Sequence, residues 1–112
     1  MADQPMRVPW MHSIVLTSNA ATYNLYTLCV AISKNLPKMA QSVQLQVDIG
    51  AGAAKVFVGS PDSVSSTDCG AVLVATQAAT TIGYTSDMVK LEDIQLTSDT
   101  NSVQVNVIIT TR

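Results

Sequence analysis

The stretch Val43-Gln44-Leu45-Gln46-Val47-Asp48-Ile49, continued by Gly50-Ala51-Gly52-Ala53-Ala54 and Lys55-Val56-Phe57-Val58-Gly59, decides the fold class. Val43, Leu45, Val47 and Ile49 alternate with Gln44, Gln46 and Asp48. A period of two puts one set on a buried face and the other on a polar face. The small residues between the two runs suit a tight reversal, with Gly50 or Gly52 free to take a positive φ. The segment therefore reads as a hairpin of an antiparallel sheet. It holds no group suited to chemistry and predicts a protein whose product is a surface.

Outward from it, the same patterns recur. His12 to Thr17 reads as a strand and Tyr23 to Ile32 as a second, with Ser18-Asn19-Ala20-Ala21 as the turn. The second is apolar on both faces towards its end, as expected of a strand covered on two sides. Lys34 to Gln41 is a connector containing Pro37. Gly59-Ser60-Pro61-Asp62-Ser63 is a strong turn signal, opening a polar loop that runs to Gly70. Ala71 to Ala75, Thr80 to Tyr84, Met88 to Leu91 and Ile94 to Thr97 are short strands. Val103 to Thr110 alternates cleanly after the turn Ser98-Asp99-Thr100-Asn101-Ser102. About eight short strands at close spacing predict an all-β chain, an antiparallel β-sandwich of jelly-roll-like form. Residues 1–11, with Pro5 and Pro9 and no apolar period, read as an extended N-terminal arm, leaving residues 12–112 as one domain.

Composition narrows the function. Of 112 residues, 47% are hydrophobic and only 12% charged, with a net charge of −2; an average soluble domain carries roughly 25% charged residues. The polar surface must be built from Ser, Thr, Asn and Gln, which cost less to strip of water than ions do. Weak net charge also gives weak self-repulsion. Residues 1–40 carry a small positive excess and the remainder a negative one. The scattered cations form no phosphate-binding stripe, so nucleic acid is not an expected partner. No charge lies between Val8 and Ser33, but polar residues interrupt that stretch well short of the ~20 apolar residues of a spanning helix. The start, Met-Ala-Asp-Gln-Pro, lacks the basic region of a secretory signal.

Little in the sequence suits chemistry. His12 is the sole histidine, and no nucleophile-elbow pattern accompanies it. Cys29 and Cys69 lie in no metal-ligand spacing and define no disulfide framework; Cys29 reads as a buried, inert thiol, and a reduced pair fits cytoplasmic synthesis. Asp62 and Asp68 flank an oxygen-rich loop without the alternating acids of a calcium site. Glu92 and Asp93 point to opposite faces if they lie on a strand. No glycine-rich loop precedes a helix to cradle a phosphate. The expectation is therefore no enzyme, no catalytic residue, no metal, no cofactor and no small-molecule substrate. The residues singled out are contact residues instead. In the arm these are Pro5, Arg7, Pro9, Trp10 and Met11, where Trp10 either plugs a pocket on a neighbour or caps the domain's own core. In the exposed loop they are Asp62, Ser63 and Asp68.

The run from Val43 to Ser60 resembles small virion proteins of tailed bacteriophages, of the capsid cement or decoration type. So does Asp93-Ile94-Gln95-Leu96-Thr97-Ser98-Asp99 leading into Val103, Val105 and Val107. In that group a strand, a short reversal and an aromatic-bearing strand precede a Ser/Thr-rich loop. The likeness spans residues 43–107, and Ala75-Thr76-Gln77 departs from it where a glycine is common. The family carries no fixed functional residues. The resemblance implies a structural virion protein made in the host cytoplasm and residing on the capsid surface. It would bind the major capsid protein and self-associate as a homo-oligomer, with no membrane partner. A tail, neck or fibre component is the alternative within the virion. A small ligand- or carbohydrate-binding sandwich is the alternative from another class, although aromatic residues make up only 4% of the chain.

Overall fold

A computed structural model describes residues 9–77, 79–83 and 88–110. In chain order the strands are β1 (Trp10–Leu16), β2 (Tyr23–Asn24), β3 (Met39–Ala40), β4 (Ser42–Val47), β5 (Lys55–Gly59), β6 (Ala71–Val74), β7 (Thr80–Gly83), β8 (Val89–Lys90), β9 (Gln95–Ser98) and β10 (Val103–Thr110). Among the described residues one α-helix, α1 (Leu25–Val30), lies between β2 and β3. Eight strands form two four-stranded antiparallel sheets, ordered β1-β10-β4-β7 and β2-β9-β5-β6; β3 and β8 form a two-residue pair of their own.

The pairing has a simple rule. β1 pairs with β10, β2 with β9, β3 with β8, β4 with β7 and β5 with β6. The chain is thus one long antiparallel ribbon doubled back at the β5–β6 loop. The ribbon closes on itself where β10 also pairs with β4 and β9 with β5. That is the jelly-roll arrangement of two sheets, so the expected all-β sandwich stands.

The alternating residues make its core. Ile14 and Leu16 of β1, Val43, Leu45 and Val47 of β4, and Val103 through Ile109 at odd positions of β10 face Val56, Val58, Leu73 and Leu96 of the other sheet, all buried. Each such side chain is worth roughly 1.5–3 kcal/mol when fully buried. Phe57 lies on the opposite side of β5 from Val56 and Val58, yet is also buried, beside its cross-strand neighbours Thr97 and Val72. Among the described residues no buried side-chain polar atom lacks a hydrogen-bond partner.

Three expectations need correction. The Val43–Gly59 segment is not a hairpin, because β4 and β5 belong to different sheets. A 3₁₀ turn over Ile49–Ala51 carries the chain across the sandwich: the Asp48 carboxylate accepts the Gly50 N–H, and Gly52 at φ +65° redirects the backbone. Both strands already have two partners, so neither is open to pair with the other. Ile49, counted as an inward residue, sits at the tip and is 86% exposed. Second, the predicted strand from Tyr23 to Ile32 is a two-residue strand followed by α1. Asn24 caps the helix by accepting the Thr27 N–H at 3.2 Å, and Leu25 and Cys29, four apart, are its buried stripe. Third, the arm expected over residues 1–11 overlaps the first strand, since Trp10 and Met11 belong to β1.

Candidate contact surfaces

The sandwich presents three surfaces worth weighing: the end where Trp10 sits, the β5–β6 loop, and the outer face of the β1-β10-β4-β7 sheet. Of the predicted arm contacts, Pro5 and Arg7 lie outside the described residues. Pro9 is exposed, just ahead of β1. Trp10 is half-buried and packs against the core; its Nε1–H donates to Ser33 Oγ at 2.8 Å, and its ring lies 4.5 Å from that of His12. Of the two roles open to it, the structure supports the cap on the domain's own core. Met11 points outward and is 58% exposed.

The loop residues 60–70 form the tip of the ribbon. Asp62 and Asp68 are exposed and Ser63 half-buried. Ser63 N–H donates to Ser60 O at 3.0 Å, closing a tight turn, and Ser65 and Asp68 are joined by backbone and hydroxyl hydrogen bonds. Gly59 is required there, because a Cβ would fall on the Ser63 carbonyl oxygen. Among the described residues no three His, Cys, Asp or Glu side chains are grouped so as to hold a metal. Beside the loop, between it and β7, lies a cleft of about 900 Å³ whose lining includes Ser63, Asp68, Thr80, Ile82, Lys90 and Asp93, with no aromatic ring among its described lining residues. Cys69 lines the same cleft, while Cys29 is buried in α1; both thiols are free, and burial pushes that of Cys29 up to about 12.

The third surface was not among the predicted sites. β1, β4, β7 and β10 contain no Asp, Glu, Lys or Arg. On the outward side, register sets Ser13 beside Asn106 and Gln46, and Met11 beside Ile108, Gln44 and Thr81. Ser13, Gln104 and Asn106 bond to one another. Ser13 Oγ donates to Asn106 Oδ1 at 2.9 Å, and Gln104 Nε2 donates to both Ser13 Oγ and Asn106 Oδ1 at 3.1 Å. Asn106 Nδ2 reaches Asp48 Oδ1 at 3.4 Å at the rim. A four-stranded face whose strands carry no ionised side chain, with the Asp48 carboxylate only at its rim, is cheap to dehydrate, and the Gln104 and Asn106 amides are already paired. The signal was present in the sequence, in the uncharged residues interleaved with the core valines of β4 and β10. It becomes a surface only once those strands are known to be neighbours. No described helix is long and apolar enough to cross a membrane.

The fold and these surfaces define a jelly-roll sandwich with a charge-free outer face. No protein-family model, curated protein or solved structure matches the chain.

Proposed function

We propose that this chain is a structural virion protein of a tailed bacteriophage, an auxiliary capsid protein of the cement or decoration type that binds and stabilises the major capsid shell. The observation that carries the reading is the charge-free outer face of the β1-β10-β4-β7 sheet. Interface cores are depleted in charged residues, and a lattice contact repeated many times favours a surface with little desolvation cost. Jelly-roll sandwiches also serve in viral shells, although the fold alone assigns no role. Capsid binding would use the outer face, with the β5–β6 loop directed away from the shell. Pro5 and Arg7 remain the proposed arm contacts.

Quantitative mass spectrometry of purified virions tests the reading. A copy number comparable to that of the major capsid protein supports a shell role. A copy number matching a tail or neck ring moves the protein to the alternative site, and absence from the particle rejects both. Deletion of residues 1–8 leaves β1 whole, unlike deletion through Met11, and tests the arm: reduced capsid occupancy with an unchanged melting curve is expected.

A further inference from the structure

β1 is the long free edge of the sandwich. The other three edge strands, β2, β6 and β7, have two to four residues, and short edges offer little to a foreign strand. β1 has seven, with β10 on one side and no strand on the other among the described residues. It contains no Lys, Arg, Asp, Glu or Pro, and its register with β10 runs without a bulge. Among the described residues the features that usually blunt an edge are missing.

The hydrogen bonds show which backbone groups are free. In an antiparallel ladder the N–H and C=O of one residue point to the same neighbour, and alternate residues to opposite neighbours. Asp48 N–H donates to Gln104 O at 3.0 Å, and Gln41 N–H to Thr110 O at 2.7 Å. Even-numbered residues of β10 therefore bond towards β4, and its odd-numbered residues towards β1. Val105 faces Ile14 and Val107 faces His12, so the even positions of β1 are engaged. Met11, Ser13 and Val15 direct their backbone groups to the open side.

We infer that this edge pairs with β1 of a second copy, antiparallel about a two-fold axis at Ser13, joining the two four-stranded sheets into one continuous sheet. The choice of a second copy follows from self-complementarity. In this register Met11 faces the partner's Val15, and these are the exposed apolar side chains of β1, 58% and 45% exposed. Ser13 meets the partner's Ser13. The absence of charge along β1 means that the two-fold opposes no like charges. A shift of two residues either way moves Met11 off the partner's Val15. Pro9, lacking an N–H, ends the ladder. The pairing adds about six backbone hydrogen bonds. It needs no capsid and stands apart from the virion reading.

Sedimentation equilibrium of the purified full chain over a concentration series tests it, with a dimer expected. Ser13→Lys and Ser13→Glu each set like charges opposite one another on the axis and weaken dimerisation at least about tenfold. An equimolar mixture of the two restores a dimer containing one of each, seen by native mass spectrometry, and that restoration also shows that both variants are folded. A wild-type chain still monomeric at about 1 mM overturns the inference. So do single variants that dimerise like the wild type, or a mixture that fails to recover while circular dichroism shows both variants folded.

Discussion

Single residues at the crossings carry constraints of different physical kinds. Gly52 has φ +65° and ψ −123° with nothing near its would-be Cβ, so its constraint is torsional. Gly59 has ordinary torsions but no space, because the Ser63 backbone occupies it. Gly52→Ala should cost about 1–3 kcal/mol and leave the β5–β6 loop undisturbed. Gly59→Ala should cost a similar amount and also raise proteolysis within residues 60–70. Gly50→Ala, which meets only the Asp48 carboxylate, should be the mildest of the three; urea unfolding of the set checks the order. Asp99 adds a pH dependence. The Lys55 N–H donates to its Oδ1 at 2.8 Å and holds the carboxyl below its ordinary range, with a smaller contribution from Thr100. A depressed value stabilises the folded state above the unfolded pKa of about 3.9. That stabilisation is lost as pH falls through the folded value. The difference in urea midpoint between wild type and Asp99→Asn should therefore be present at pH 7 and should close on acidification below about pH 4. A difference that grows in acid would contradict the assignment.

Elements divide into those whose local pattern was enough and those whose pattern was ambiguous. β10 was readable to the residue, because eight positions of clean alternation admit one period, and β7 and β9 fell within a residue or two of expectation. Alternation states which face of a strand is buried, however, and not which sheet the strand joins. That is why Val43–Gly59 looked like a hairpin and proved to be a crossing. The Tyr23–Ile32 stretch failed for another reason. Leu25, Leu28, Cys29 and Ile32 also fit a helical stripe, and Asn24 is a good cap, but the run is too short for periodicity alone to choose. Tertiary contacts choose: Asn24 donates from Nδ2 to Glu92 O at 2.7 Å while its Oδ1 caps α1. Asn24→Ala should destabilise by about 1–2 kcal/mol. Asn24→Asp keeps the cap, loses the donor to Glu92, and should melt between the two. Thermal unfolding followed by circular dichroism distinguishes them; equal losses for both substitutions would mean that the cap contributes nothing.

Across the whole molecule, charge is sorted by topology. Within the two sheets the only charged side chain is Lys55, and the remaining described charges sit in the connections and in the β3–β8 region. Such sorting is not required by folding, since the outer face of a sandwich tolerates lysine and glutamate. A charge placed on the outer face should therefore affect docking far more than stability. Gln46 is exposed at the centre of that face, paired across to Asn106. Gln46→Lys should change unfolding free energy by no more than about 0.5 kcal/mol. If this face lies against a capsid shell, the buried and unpaired ammonium should reduce occupancy at least about tenfold. Gln77→Lys, the same change on an exposed residue of the β6–β7 connection, is the control and should bind as the wild type does. Occupancy measured by co-sedimentation with shells stripped of the protein separates the outcomes. If Gln46→Lys binds as tightly as the control, the outer face is solvent-facing in the particle, and the contact must be sought at the loop or the arm.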